Sequence, residues 1–293
     1  IDHQNIMLTA VFSPDFDILA TPQLIYGPTT MWHTGSVSPA SSKNGGALIT
    51  WNASGDYTFE NRMMMLGNLG QALWPDYRTI DRGPGFVMRA YNYFTENSGN
   101  AGGFKYAWTD SRAGDFHAFG AEYLSPLQPN QVAKQFDMEV RTLAAKTAQA
   151  PDGTVVTLQV VRTPEGIALK FNWCDSHFTP MWKEPVTIAE FPFTIGLSSF
   201  DVDVDSLGRA IICWTQNGDP LDQGVFFQAI TNQRQQVHAT PVRVDSGLLV
   251  GSFRQATLEP VGAGDAIVTW VDDVVGDYHV LAQRIGSNGA HVW

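Results

Sequence analysis

The chain has 293 residues, of which 44% are hydrophobic and only 16% are charged. A charged fraction so far below the usual ~25% favours many short, half-buried strands over long solvated helices. Acidic residues outnumber basic ones by 29 to 18, and the net charge of −11 argues against nucleic-acid binding as the main role.

The first predicted strand, 5–12, lines up with the third strand of a repeat that fills the rest of the chain. In this repeat a glycine is followed six residues later by a tryptophan, as in Gly45/Trp51, Gly102/Trp108, Gly208/Trp214 and Gly264/Trp270. A fifth copy, from Gly153 to Gln159, keeps the pattern without the tryptophan. The starting glycines are 57, 51, 55 and 56 residues apart, and this regular spacing indicates an internal repeat.

Each repeat has the same order of predicted strands. An alternating strand precedes the glycine, as in 201–205 and 256–259, and the strand that follows the glycine ends near the tryptophan. A polar turn then leads to a third apolar strand, at 62–66, 117–123, 167–173, 225–230 and 279–285, and a weaker fourth strand follows at 185–188 and 241–244. The one stretch that tolerates a helical assignment is 141–149. Four strands in ~55 residues are typical of a propeller blade, in which the recurrent tryptophan would be wedged between blades.

The chain contains six strands of the third type but five pairs of first and second strands. We therefore predict an all-β fold, a five-bladed β-propeller with four-stranded blades, closed by strands from both termini. It forms a single domain over residues 1–293, with repeats centred near 45–51, 102–108, 153–159, 208–214 and 264–270. A domain cut from a longer propeller array is the alternative.

Two stretches carry a resemblance to a known repeat. Residues 103–115 read GFKYAWTDSRAGD and residues 278–289 read YHVLAQRIGSNG. Both resemble the repeat of secreted bacterial β-propeller proteins, which runs from glycine through Trp-x-Asp, Arg and Gly to a strand ending in Ala-Gln-Arg. The resemblance implies an extracellular or periplasmic location. It implies no particular function, because proteins of this architecture serve many roles.

Motifs for a cofactor or a metal are weak in this sequence, and none is expected to bind. There is no nucleophile elbow, P-loop, His-Glu-x-x-His or dinucleotide-binding glycine motif. Asp201, Asp203 and Asp205 resemble a calcium loop, but Leu207 occupies the tight turn and the later glutamate is missing. The run from Cys174 to His177 has a ligand spacing without a second half. Cys174 and Cys213 both lie in apolar strands and are predicted to be unbridged thiols. No apolar run approaches the ~18 residues of a transmembrane helix, so membrane insertion is not expected.

Candidate ligand-binding residues lie in the loops between second and third strands and in the loops that link blades, which share one rim of a propeller. They are Trp32, His33, Asp110, Arg112 and Asp272. The leading hypothesis is a non-catalytic binding module whose partner is a glycan or a protein surface. The alternative is a glycoside hydrolase with acidic residues on first strands in the central funnel, for which the candidates are Glu139, Asp203 and Glu259. A third possibility is a structural module of a longer surface protein.

Overall fold

The computed structural model describes residues 7–12, 18–26, 34–41, 47–55, 58–84, 89–96, 104–110, 115–123, 134–137, 141–218, 223–245, 252–262, 264–274 and 277–293. All regular secondary structure in these ranges is β-strand, and they contain no helix. The predicted all-β class is confirmed. None of the described residues belongs to a helix that could span a membrane.

The chain divides into two compact units, Ile1–Ala144 and Ala145–Trp293. Strands of the first unit are β1 (Met7–Phe12), β2 (Ile18–Tyr26), β3 (Thr34–Ser41), β4 (Ala47–Gly55), β5 (Thr58–Leu66), β6 (Arg78–Pro84), β7 (Arg89–Glu96), β8 (Phe104–Asp110), β9 (His117–Tyr123) and β10 (Lys134–Gln135). Two of these strands, β1 and β2, form a two-stranded sheet. The others form two four-stranded sheets, β3 to β6 and β7 to β10.

The second unit contains three sheets, which we call sheets I, II and III. Sheet I comprises β11 (Thr142–Gln149), which begins just before the unit boundary, β12 (Val155–Arg162), β13 (Gly166–Cys174) and β14 (Val186–Pro192). Sheet II comprises β15 (Gly196–Val204), β16 (Ala210–Asn217), β17 (Gly224–Ile230) and β18 (Val242–Arg243). Sheet III comprises β19 (Ser252–Val261), β20 (Asp265–Val274) and β21 (Asp277–Ile285).

Strand order in every four-stranded sheet follows chain order, so each sheet is one predicted repeat. The prediction for 117–123 coincides with β9, and the other predicted third strands overlap β5, β13, β17 and β21. The stretch 141–149, whose sequence tolerates a helix, is not helical, because its residues form the strand β11. Its alanines favour a helix locally, but the hairpin to β12 determines the backbone.

The backbone conformation requires a glycine at the start of three of the repeats. Gly153, Gly208 and Gly264 have φ angles of 87°, 72° and 90°, in the left-handed region that side chains other than glycine rarely adopt. The Gly208 N–H donates to the carbonyl of Asp205 at 2.9 Å, and the Gly153 N–H donates to the carbonyl of Ala150 at the same distance. Each glycine therefore closes the hairpin turn between a first and a second strand.

The tryptophans of the repeat belong to the core. Trp51 and Trp108 are fully buried, Trp214 is 1% exposed and Trp270 is 5% exposed. Trp270 lies in the hydrophobic cluster that joins sheets II and III, together with Phe227 and Leu258. These positions confirm the predicted packing role for Trp270.

Both cysteines are buried free thiols, as predicted. Cys174 ends β13 and Cys213 lies in the middle of β16, where burial raises the pKa of its thiol well above the ordinary value. Such thiols pack as small hydrophobic groups.

Candidate functional site

Acidic side chains of β15 alternate along the strand, so Asp201 and Asp203 share one face. Their cross-strand partners on β16 are Cys213 and Ile211, which belong to the cluster between sheets II and III. Paired residues of an antiparallel ladder project to the same side. Asp201 and Asp203 therefore face β19, the first strand of sheet III.

Asp201 connects the first strands of all three sheets in the second unit. Its Oδ1 lies 3.1 Å from Nζ of Lys146 on β11, and its Oδ2 accepts the backbone N–H of Leu258 on β19 at 3.1 Å. The carboxylate is 3% exposed, and Lys146 is also largely enclosed. Buried charges need paired partners of this kind, so the contact fixes Asp201 and the ammonium group of Lys146 in place.

Asp203 is less enclosed than Asp201, and its environment suits proton transfer. Burial is the main cause that raises the pKa of Asp203 to about 6, and the nearby acids Glu259 and Asp201 raise it further. The Val204 N–H donates to Oδ1 of Asp203 at 2.7 Å and lowers the pKa. Glu259 on β19 is exposed. The two carboxyl groups are thus close enough to interact, and Asp203 keeps its proton up to about pH 6. A protonated carboxyl beside a solvent-exposed carboxylate can supply acid and base functions.

Asp205 has a structural role at the end of the same acidic run. Its Oδ1 accepts the backbone N–H groups of Leu207 and Arg209 at 2.9 Å, and its Oδ2 accepts Nε of Arg209 at 2.7 Å. Protein donors therefore bind the oxygens of both Asp205 and Asp201, which gives the calcium-loop alternative no support. Within the described part of the chain, no group of three or more His, Cys, Asp or Glu side chains could hold a metal ion.

The residues from Cys174 to His177 likewise form a turn. Oδ1 of Asp175 accepts the N–H groups of His177 and Thr179, and Nδ1 of His177 is 2.9 Å from Oγ of Ser176. Cys174 is completely buried while His177 is exposed, so the two side chains do not share an environment.

Most of the predicted rim residues lie outside the described part of the chain. This applies to Trp32, His33 and Arg112, and also to Glu139, one of the three funnel candidates. Asp110 is the last residue of β8, where its backbone pairs with His117. The ligand-binding role of these residues stays a prediction.

Asp272 is the one predicted rim residue whose side chain is described. It lies on β20, its carboxylate is fully buried, and neither oxygen has a hydrogen-bond partner of normal geometry among the described residues. Burial is the main cause that raises the pKa of Asp272, and the acids Asp245 and Asp273 raise it as well. His279 and the backbone N–H of Asp273 lower this pKa. The ligand-binding role of Asp272 stays a prediction. Because its carboxyl group is buried, we expect its ionisation to lower the stability of the fold.

Lys146 is the site residue that the sequence analysis missed. It lies seven residues before Gly153, and Asp201 lies seven residues before Gly208, so the two side chains occupy the same place in successive repeats. Aligning the repeats by their glycines would have placed Lys146 on a first strand next to that of Asp201. The helical propensity of 141–149 concealed this position.

No protein-family model and no curated protein matches this sequence. Among solved structures, the alpha-L-arabinanase of Penicillium chrysogenum, complexed with arabinobiose, has a TM-score of 0.51 at 11% identity over 95% of this chain and 86% of the arabinanase. A protein of unknown function from Dyadobacter fermentans has a TM-score of 0.51 at 12% identity over 97% of this chain and 85% of that one. A PL25 ulvan lyase bound to a glucuronate–rhamnose glycan has a TM-score of 0.51 at 10% identity, over 86% of this chain and 70% of the lyase.

These likenesses concern the fold, since all three identities are low. The arabinanase has a five-bladed β-propeller fold. They also overturn the leading functional hypothesis. A non-catalytic binding module is the wrong prediction, because the similar structures of known activity are an arabinanase and a polysaccharide lyase. They favour its alternative, an enzyme that acts on carbohydrate.

Proposed function

We propose that this chain is a carbohydrate-active enzyme that hydrolyses glycosidic bonds, with Asp203 as the general acid and Glu259 as the second carboxylate. The observation that carries the proposal is the half-buried carboxyl of Asp203, whose pKa of about 6 is raised in part by Glu259. Glycosidases use one carboxyl group that stays protonated and a second that is ionised.

Each carboxyl group has a distinct part in this reaction. Asp203 donates its proton to the oxygen of the leaving sugar, which prevents the build-up of negative charge on that oxygen. Glu259, which is exposed, serves as the base or nucleophile. Asp201 is a positioning residue: its contact with Lys146 holds β15 beside β11, and its bond to the Leu258 N–H holds β15 beside β19.

The proposal includes the full architecture expected from the sequence. The four-stranded sheets are blades of a five-bladed propeller that strands from both termini close into a ring. The similarity of the repeats to secreted bacterial propellers supports an extracellular or periplasmic location, where the enzyme would meet polysaccharides. A glycan is thus both its ligand and its substrate.

The test is to incubate the protein with a panel of neutral and acidic polysaccharides and to measure new reducing ends. Asp203→Asn and Glu259→Gln should each lower the rate by at least ~100-fold. Asp277→Asn and Glu184→Gln are the matched controls, because both side chains are exposed and lie outside the site. Products with an unsaturated terminal sugar would indicate elimination instead of hydrolysis. Full activity of the Asp203→Asn protein would exclude the proposed site.

A further inference from the structure

A pocket opens at the end of sheet I that is remote from the carboxylate pair. It has a volume of about 260 Å³, and its lining includes Pro164, Glu165 and Ile167 from the β12–β13 hairpin and Glu190 and Phe191 from β14. The hairpin is tight, because the Thr163 N–H donates to the Gly166 carbonyl at 3.0 Å. This hairpin joins a second strand to a third, so the pocket lies on the rim where the sequence predicts ligand binding.

The pocket combines apolar walls with exposed carboxylates. Ile167 and Phe191 are cross-strand partners and give one wall an apolar surface. Glu165 and Glu190 are both exposed at its edge. Carboxylate oxygens accept hydrogen bonds from hydroxyl groups, whereas the apolar wall suits the C–H face of a sugar ring.

An exposed aromatic residue follows the last lining residue, Pro192, directly in the sequence. Phe193 is two residues beyond Phe191 and is 63% exposed, a high value for so large an apolar side chain. The guanidinium of Arg162 lies over its ring, 5.7 Å from the centroid, which restricts one side of the ring. A flat, accessible ring beside hydroxyl acceptors is a surface on which a sugar ring can stack.

We propose that this pocket is an accessory binding site for a neutral glycan, with Phe193 as the stacking platform and Glu165 and Glu190 as hydroxyl acceptors. The two carboxylates, in a chain of net charge −11, disfavour a uronate or sulfated sugar. The volume is slightly below the usual range for small-molecule sites and accommodates one or two sugar rings. The inference depends on the proposed function, since it assumes that the chain acts on a glycan.

The pocket is separate from the proposed catalytic site. Its lining residue Pro192 is linked by a tight turn to Gly196, where β15 begins, since the Ile195 N–H donates to the Pro192 carbonyl at 2.9 Å. Asp203 is seven residues further along β15. At about 3.3 Å per residue the two are roughly 23 Å apart, too far for one sugar ring to contact both. A polysaccharide chain held in the pocket would keep its other segments near the catalytic carboxylates and raise their effective concentration.

The experiment measures binding and catalysis separately. Affinity electrophoresis in gels containing neutral polysaccharides reports binding, and it is performed with Asp203→Asn as the background so that the glycan is not degraded. Phe193→Ala and Glu190→Gln in this background should weaken retention by at least ~10-fold. Tyr278→Ala is the matched control, because Tyr278 is an equally exposed aromatic residue on sheet III.

With Asp203 intact, Phe193→Ala should leave the rate on short oligosaccharides unchanged and lower the rate on dilute polysaccharide. Unchanged retention of Phe193→Ala, retention by acidic polysaccharides only, or no retention on any neutral glycan would overturn the inference. Retention that depends on Phe193 in a protein without hydrolytic activity would reject the proposed function and leave the accessory site standing.

Discussion

Lys146 Nζ lies 3.1 Å from Oδ1 of Asp201, and the two residues hold the same place in successive repeats. One repeat therefore supplies a cation where the next supplies an anion, and neighbouring first strands are joined by charge. The same carboxylate accepts the Leu258 N–H, which extends the connection to a third strand. The two repeats carry different residues, Lys146 and Asp201, at this position of the first strand. Two identical residues there could not form the ion pair.

Removal of one partner from this ion pair should destabilise the protein strongly. Lys146→Met leaves the Asp201 carboxylate buried without its cation, and we expect the free energy of unfolding to fall by about 3–5 kcal/mol. Chemical denaturation at neutral pH measures the loss. Lys146→Met combined with Asp201→Asn should recover part of it, because the amide oxygen still accepts the Leu258 N–H and no buried charge remains. If the losses in the free energy of unfolding caused by Lys146→Met and Asp201→Asn simply add in the double variant, the two residues are not coupled.

Repeat spacing allowed most of the fold to be predicted from sequence. Gly153, Gly208 and Gly264 mark the hairpin turns because only glycine tolerates their φ angles well, and this requirement is visible in the sequence. The tryptophans are visible for a similar reason, since a buried ring of that size cannot be replaced without loss of packing. The strand β11 was the exception, because its alanine-rich sequence favours a helix until tertiary pairing is considered.

The candidate site was only partly predictable. Asp203 and Glu259 were among the funnel candidates because first strands of a propeller line its centre. The sequence did not reveal that Asp203 is half-buried and that Glu259 raises its pKa, properties that depend on how sheets II and III pack. The accessory pocket was equally hidden, because Glu165 and Glu190 have no common spacing and are brought to one pocket by the pairing of β13 with β14.

Activity should depend on pH through the carboxyl group of Asp203. The acid form of Asp203 is required, so kcat/KM should fall about tenfold per pH unit above pH 6. Asp201→Asn removes one of the charges that raise this pKa, and the descending limb of the profile should move to lower pH. The pH profile of both proteins on the best polysaccharide from the panel provides the measurement. If the descending limb of the pH profile is at the same pH in the Asp201→Asn protein as in the wild type, Asp203 is not the titrating acid.

Asp272 should make the wild-type protein less stable as the pH rises. Its folded-state pKa is raised above 3.8, so the unfolded chain loses this proton at a lower pH than the folded protein. The resulting loss of stability begins as the pH rises through about 4 and is complete above the folded-state pKa. Asp272→Asn should therefore be more stable than wild type at neutral pH, and the advantage should shrink towards pH 4. Denaturation curves at several pH values, with the exposed Asp277→Asn as control, test the trend; a constant difference would contradict it.

Trp214 should be among the residues most costly to truncate. It is 1% exposed and stacks on Phe226 with a centroid distance of 5.7 Å, so Trp214→Ala leaves a large cavity. We expect a loss of about 3–5 kcal/mol in the free energy of unfolding. Trp293, which is 58% exposed, provides the control, and Trp293→Ala should change stability by less than about 0.5 kcal/mol. Equal effects of the two substitutions would be inconsistent with a packing role for the repeat tryptophan.

Gly166 should tolerate no side chain, because β13 and β14 approach each other closely at this point. A Cβ atom there would lie 1.9 Å from the carbonyl oxygen of Phe191 and 2.9 Å from its carbonyl carbon, and both are backbone atoms that can move only if β14 moves. Gly166→Ala should therefore cost about 1–3 kcal/mol or more, and it should also weaken glycan retention by displacing Phe191 and Phe193. At Gly196, by contrast, a Cβ would meet its nearest neighbour, the Asn217 carbonyl oxygen, at 3.8 Å, an ordinary contact. Gly196→Ala is consequently the matched control, with stability and retention near wild type; a Gly166→Ala protein as stable as this control would show that the two strands separate easily.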